Sequence, residues 1–444
     1  MASLRILGVL EKGHKEKDMK AVVSDKIYMT VDESTQAMID KELTYSIPTY
    51  NPLDPPLIIK NMVRIRPGTI AVPSGRFDLV PEGYEIVDKR TLAPKEFPEF
   101  RYKLRVSQKD VYDAVEDSCI INAWVSWGKT FTGLAIASKL KQKTLVVVHT
   151  VALRSQWERE VEKVFGFKPA IIGSGKFDLT GPIVIGNVQT LTRRVPDIRN
   201  EFGTIILDEM HHVSSPTFKN IIDKCTARYK IGLSGTIERK DGKHVLFRDF
   251  FSPTVYFPPK ENYMPPSINI IHSEIRFLDG GGTPWAKKIN HLAYNEEYQH
   301  EVAIIASAMA AKGHKVLVGA DRVDFLKRCA QLVGDSAIVI TGQTPHEERP
   351  AMMEQINGDK NVLFGTQSIF SEGVSLDALS CLVLGTPVNN EPLLTQLIGR
   401  VIRIKEGKKD PVIVDINLKG NTARKQANNR TGYYLKQGYK IKNI

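Results

Sequence analysis

Two tandem α/β units with parallel sheets, preceded by a small β-rich N-terminal domain, are what the sequence predicts, and three observations predict it. Between residues 101 and 255, apolar runs ("TLVVVHT", "PIVIGNV", "GTIILDE") alternate with amphipathic segments such as "RSQWEREVEKVF". Continuously apolar strands are buried on both faces, which means a parallel sheet covered by helices. The alternation restarts near residue 299 and continues through "KVLVGA", "VDFLKRCAQLVG", "AIVIT", "NVLFGT", "CLVLGT", "PLLTQLIGRVIR" and "PVIVDI". The first hundred residues differ from both, with short β-rich pieces ("KIYMTV", "TIAVP", "YEIVD") among proline turns such as "NPLDPPL" and no helix-length amphipathic pattern.

The bulk properties set the frame. A chain of 444 residues exceeds one ordinary core, so several domains are expected. No apolar run approaches the roughly 20 residues that span a bilayer, and the N-terminus lacks a secretory pattern, so a cytoplasmic protein with no membrane partner is expected. Cys119, Cys225, Cys329 and Cys381 stand singly, which fits a reducing compartment without a disulfide framework. A net charge of +11 makes a polyanionic partner plausible without proving one. The expected domains are an N-terminal accessory domain (1–100), a first α/β domain (101–255), a proline-rich linker (256–298) and a second α/β domain with a basic tail (299–444).

Chemistry enters at "AWVSWGKT", residues 123–130, between the strand "CII" and a helix. A phosphate loop needs backbone N–H groups, a helix N-terminus, a lysine for charge and a hydroxyl for Mg²⁺. Gly128, Lys129 and Thr130 meet that need, with Ser126 and Trp127 completing the loop, although Ala123 stands where a glycine is usual. About 80 residues on, Asp208 and Glu209 end the apolar strand "IILDE". A carboxylate there suits Mg²⁺, and its neighbour suits polarising an attacking water. The adjacent His211 and His212 lack the i,i+4 partner or nearby cysteine of a zinc site. In "QLIGRVIR", Gln396, Arg400 and Arg403 fall at i, i+4 and i+7, one face of a helix. They are either a solvated face or arginines that neutralise γ-phosphate charge.

In this order and spacing, "AWVSWGKT", "DEMHH", "LSGT" and "QLIGRVIR" resemble motifs I, II, III and VI of superfamily-2 helicases over residues 101–418. "RVSQKDV" resembles the adenine-reading segment, "VVVHTVALRSQW" and "IGNVQTL" motifs Ia and Ib, and "FGTQSIFSEGVSLDAL" motif V. The form "SGTIERKDG" after motif III and the Asp-Glu-x-His pattern look most like the XPB and UvsW branch, whose phage members remodel DNA forks and junctions.

The resemblance implies RecA-like domains, ATP and Mg²⁺ as cofactors, and single-stranded and branched DNA as partner, with a monomer expected. It implies that Arg105 and Gln108 read adenine, that Lys129 and the loop hold phosphate, and that Thr130 and Asp208 hold Mg²⁺. Glu209 would activate water, with Gln396, Arg400 and Arg403 completing hydrolysis. Strand contacts would come from Thr150, Gln189, Thr190, Gly342 and Thr366, and coupling from His211, Ser234 and Thr236. Motif V lacks its common proline, leaving Asp377 as the nearest candidate for the ribose-contacting acid.

Trp124 and Trp127 are expected to pack on neighbouring loop surface, with a base-stacking platform as the alternative. The implied function is ATP-dependent unwinding or remodelling of branched DNA in replication, recombination or repair. Duplex translocation without strand separation and RNA unwinding are the alternatives. The strip Lys60, Arg64 and Arg66 would let the N-terminal domain meet phosphate. In the C-terminal "KGNTARKQANNRTGYYLKQGYKIKNI", seven basic residues and no acids suggest a solvated tail, a helix packed on the second unit, or a DNA-facing surface.

Overall fold

The N-terminal sheet forms where short β-branched and aromatic runs alternate with turns. Strands β1 (Lys20–Val23), β2 (Lys26–Thr30), β5 (Val63–Arg66), β6 (Thr69–Pro73) and β7 (Glu85–Asp88) pair in the order β5-β6-β2-β1-β7, while β3 (Thr44–Ile47) and β4 (Leu57–Lys60) make a separate hairpin. A helix, α1 (Glu33–Glu42), interrupts this β-rich region where none is expected. Asp32 caps it, accepting the Thr35 N–H at 2.8 Å. Ile39 is its one fully buried side chain, so no apolar stripe marks it in the sequence. The computed structural model describes residues 19–48, 54–210, 216–235, 243–280, 282–345, 347–367 and 376–444. It divides into two compact units, Met1–Lys260 and Glu261–Ile444. The N-terminal region thus shares a unit with the first α/β domain.

In the first unit the alternating pattern resolves into α2 (Val106–Ala114), β8 (Cys119–Asn122), α3 (Lys129–Leu140), β9 (Thr144–Val148), α4 (Val151–Phe165), β10 (Ala170–Gly173), β11 (Lys176–Phe177), β12 (Ile183–Asn187), β13 (Thr204–Leu207), α5 (Pro216–Ile222), β14 (Tyr229–Ser234), α6 (Phe247–Phe250) and β15 (Val255–Tyr256). The sheet runs β11-β10-β12-β9-β13-β14-β8-β15 and is parallel except at β11. The crossover from β8 to β9 skips two positions, which β13 and β14 later fill. The carboxyl ends of β8, β13 and β14 therefore lie side by side, where ligands of parallel sheets gather. Both faces carry apolar cores, including Trp127, Trp157 and Leu233 on one and Phe202, Phe247 and Phe251 on the other.

The second unit contains β16 (Ser267–Arg276), α7 (Trp285–Ala293), α8 (Glu296–Ala311), β17 (Val316–Ala320), α9 (Val323–Val333), β18 (Ala337–Ile340), α10 (Arg349–Asn357), β19 (Val362–Thr366), β20 (Cys381–Leu384), α11 (Glu391–Val401), β21 (Val412–Lys419), α12 (Asn421–Lys436) and β22 (Lys440–Asn443). Its sheet, β18-β19-β17-β20-β21-β16-β22, is parallel throughout. The expected linker of residues 256–298 is corrected here: β16 lies inside it and pairs with both β21 and β22. Two prolines ahead of β16 hide a strand whose inward residues, Ile268 and Ile270, alternate with polar ones.

The basic C-terminal stretch is a packed helix and not a tail. Arg430 of α12 donates to both oxygens of buried Asp415 at 2.8 and 2.7 Å, and the Tyr434 hydroxyl donates to Asp415 at 2.9 Å. Tyr433, Tyr434 and Tyr439 are buried, which withdraws them from any nucleic-acid surface.

Candidate active site and nucleic-acid interface

The phosphate loop is shaped by backbone conformation before any side chain acts. Ser126 (φ 68°) and Gly128 (φ 89°) are both left-handed, and α3 starts directly after them at Lys129. Gly128 is required by its φ, and a methyl group there would also lie 2.7 Å from Gln108 Nε2 and push that amide aside. The free N–H groups at the start of α3 make an anion-binding end. Ala123 N donates to Ser234 O at 2.9 Å, and the Lys129 ammonium rests on Ala123 O at 3.2 Å. The ends of β8 and β14 and the lysine are thereby tied together.

Trp127 does not lie on loop surface, and it is no stacking platform. It is fully buried, and its indole N–H donates to Ser107 Oγ at 2.7 Å. Its carbonyl accepts from Gln108 Nε2 at 2.8 Å and also from the Arg105 guanidinium. Gln108 Oε1 in turn accepts the Arg105 N–H at 3.0 Å. Arg105 and Gln108, expected on the adenine, here clamp the phosphate loop from the start of α2. Trp124 is half-buried, with the Lys260 ammonium 4.1 Å from its ring centroid.

At the end of β13, Asp208 is buried and Glu209 partly exposed. The Trp157 indole donates to Asp208 Oδ2 at 2.8 Å, and the Glu209 N–H donates to Asp208 Oδ1 at 2.9 Å. Burial and the neighbouring Glu209 push the Asp208 acid up, against the Trp157 hydrogen bond and Lys129. Glu209 holds φ at 52°, a costly conformation for a non-glycine residue that sets its side chain apart from the strand. Thr130 Oγ1 accepts from Gln156 Nε2 at 3.4 Å. Trp157 ends the segment resembling motif Ia, but nothing in that motif marks it as the partner of Asp208. Gly133 admits its ring, since a methyl there would lie 3.2 Å from Trp157.

Among the described residues no three His, Cys, Asp or Glu side chains gather as a metal cage. Thr130 and Asp208 instead offer a hydroxyl and a carboxylate oxygen, the hard donor set that Mg²⁺ takes alongside phosphate oxygens. Ser234 ends β14, while His211, His212 and Thr236 lie outside the described residues.

The expected strand contacts are placed unevenly. Thr150 caps α4, accepting the Leu153 N–H at 3.2 Å. Gln189 is exposed and donates to His149 O at 3.1 Å, and Thr190 beside it is partly exposed. Gly342 is exposed after β18, and Thr366 ends β19 with its hydroxyl unpartnered among the described residues.

The arginine face of the second unit needs correction. Gln396 and buried Arg400 are on α11, but the helix ends at Val401 and Arg403 is no longer on it. Arg403 instead forms a bridge with Tyr263, and Met264 N donates to Ile402 O at 2.7 Å, so pairing with a neighbouring segment stops the helix. Arg403 also donates to Asp377 at 3.2 Å. The proposed ribose acid and one proposed finger are therefore partners.

Comparison with known proteins follows the same division. Residues 101–239 match the family described as type III restriction enzyme, res subunit, and residues 297–405 match the helicase conserved C-terminal domain. The chain is 40% identical over 430 residues to "Probable helicase D10" of Escherichia phage T5, covering 95% of each chain. It is 25% identical over 394 residues to "ATP-dependent DNA helicase uvsW" of Enterobacteria phage T4, covering 79% of this chain and 77% of that one. The solved helicase domain of Pyrococcus furiosus Hef superposes with a TM-score of 0.50 at 13% identity, over 73% of this chain and 98% of that one, a likeness of RecA-like fold. The protein is an ATP-hydrolysing helicase, and it belongs to the XPB/UvsW branch of superfamily 2.

Proposed function

We propose that this helicase works on DNA and remodels branched substrates, forks and junctions, in recombination, repair or replication. The observation that carries the proposal is the exposed basic strip at the end of the N-terminal hairpin. The Lys60 and Arg64 side chains are 60% and 65% exposed, and their nearest carboxylate, Asp40, stands 3.9 and 3.8 Å away. Such loosely paired cations are free to exchange that carboxylate for phosphate. A strip outside the motor core suits a protein that must grip one arm of a branch while its motor acts on another.

Within the motor, Lys129 and the first N–H groups of α3 hold the β- and γ-phosphates. Thr130 and Asp208 hold Mg²⁺, which when bound neutralises charge on the transferred phosphate. Glu209 orients the attacking water and takes its proton. Gln396, Arg400 and Arg403 are the second unit's contribution to hydrolysis. Arg105 and Gln108 keep the loop in its phosphate-ready shape through the Trp127 carbonyl.

The test is ATP-dependent product formation from a labelled fork and a four-way junction, beside a blunt duplex and an RNA duplex. Conversion of fork and junction supports the proposal. Translocation along duplex without displaced strand, or preferential unwinding of RNA, would replace it with one of the two alternatives.

A further inference from the structure

The N-terminal domain meets the first α/β domain at a buried acid. Asp249 of α6 is fully buried, and its carboxylate accepts from three N-terminal side chains: Asn61 Nδ2 at 2.6 Å, Tyr45 OH at 2.9 Å and Arg76 Nη1 at 3.2 Å. Its backbone carbonyl accepts the Gly75 N–H at 3.0 Å. A methyl on Gly75 would stand 2.3 Å from Arg248 O, so the two backbones meet without space for a side chain. Arg76 is itself buried and also donates to Glu42 at 3.1 Å and Asp78 at 2.8 Å, which fixes its guanidinium.

The elements gripped are those that continue from the catalytic motifs. Asn61 Oδ1 accepts from Lys219 Nζ at 3.3 Å, and Lys219 is on α5, the next helix after Asp208 and Glu209. The buried ammonium of Lys230 donates to Ser74 Oγ at 2.9 Å and to Ile222 O at 2.8 Å. Lys230 lies four residues before Ser234 on β14, whose end holds the phosphate loop through Ala123. On the N-terminal side, Asn61 directly follows Lys60 of the basic strip, and Tyr45 adjoins Thr44, the cross-strand partner of Lys60. A pull on the strip is therefore a pull on the seat.

We infer that Tyr45, Asn61 and Arg76, seated on Asp249, are positioning residues that make ATP turnover respond to nucleic acid held at the N-terminal strip. The seat biases α5, α6 and β14, and through them the placement of Glu209 and Ser234. This rests on the strip reading given under Proposed function, and the experiment separates the two. Buried polar networks of this kind are stiff when every member is satisfied, so deletion of one donor is felt across the whole network.

The experiment measures ATPase rates of the full chain against increasing forked DNA duplex. Tyr45→Phe removes one donor and keeps the ring; Asn61→Ser shortens another, and Asn61→Gln offers conservative rescue. The expected result for Tyr45→Phe and Asn61→Ser is a DNA-stimulated kcat lower by about 5-fold or more. The rate without DNA and the half-saturating DNA concentration stay at wild type, and Asn61→Gln recovers part of the loss. Lys60→Gln with Arg64→Gln is expected to raise the half-saturating concentration instead. Wild-type stimulation in Tyr45→Phe and Asn61→Ser overturns the inference, as does an equal loss with and without DNA, which is the mark of a purely structural seat. If the strip variant saturates like wild type while the seat variants lose stimulation, the strip reading falls and coupling through the seat stands.

Discussion

The Trp157 indole N–H donates to Asp208 Oδ2 at 2.8 Å, so the carboxylate that suits Mg²⁺ is oriented by a buried aromatic on a different element. Partners behind a metal-facing acid fix its direction, and their loss typically costs about 10–100-fold in metal affinity. Trp157→Phe removes the donor and, with its smaller ring, also the contact of the indole tip with Gly133. The Mg²⁺ concentration for half-maximal ATPase should rise about 10-fold, with kcat at saturating Mg²⁺ little changed. A Mg²⁺ titration of both proteins checks it.

Lys129→Ala should abolish turnover and weaken nucleotide binding, because its ammonium is partly exposed at the loop and its loss removes charge without opening the core. Glu209→Gln should bind nucleotide as wild type does and lose hydrolysis, since an amide cannot take the proton from water. Nucleotide affinity and single-turnover rate, measured on both, separate these roles. Normal hydrolysis by Glu209→Gln would remove it as the base.

Arg400→Ala and Arg403→Ala should lower kcat far more than nucleotide affinity, by about 10³-fold if they act on transition-state charge. The Arg403–Asp377 ion pair adds a control. Asp377→Asn removes the charge of that pair and keeps Arg403, and should leave kcat within a few-fold of wild type. A loss in Asp377→Asn as deep as in Arg403→Ala would make the pair structural.

Burial pulls the Lys230 ammonium down to about 8, well below its ordinary value of 10.5. Between those two values the unfolded chain binds more protons than the folded one, so this group adds stability as pH rises from about 8 toward 10.5. Below about 8 its burial penalty is fully present. The difference in Tm between wild type and Lys230→Met should therefore shift in favour of wild type across that interval. A pH-independent difference would place the charge outside the core.

Removing residues 1–97 would take three donors from Asp249 and Ser74 from Lys230, and would uncover the apolar surface that Tyr45 and Ile59 pack against. Uncovered apolar surface and lost interdomain hydrogen bonds together cost several kcal/mol, about the margin of a domain's stability. The shortened chain should be poorly soluble, read as its soluble fraction beside that of the full chain.

The parallel strands were legible because their apolar runs are short, continuous and regularly spaced, and the phosphate loop because its glycine, lysine and hydroxyl have no substitutes. Helix α1 was not, since it buries only Ile39 fully, and β16 was not, since prolines precede it and its outer face is polar. The extent of α11 depends on pairing between residues 263–264 and 402–403, which local pattern cannot report. The roles of Trp127 and Trp157 are similarly tertiary: each indole finds its acceptor 20 and 51 residues away. The motifs that contain them do not show which acceptor each indole reaches.

The most direct measurement of the central claim is the ATPase rate of the full chain with single-stranded DNA, blunt duplex, fork, four-way junction and RNA at equal nucleotide concentration. Fork and junction should stimulate turnover most, with RNA near the unstimulated rate. Stimulation by RNA above any DNA, or equal stimulation by every DNA shape, would contradict it.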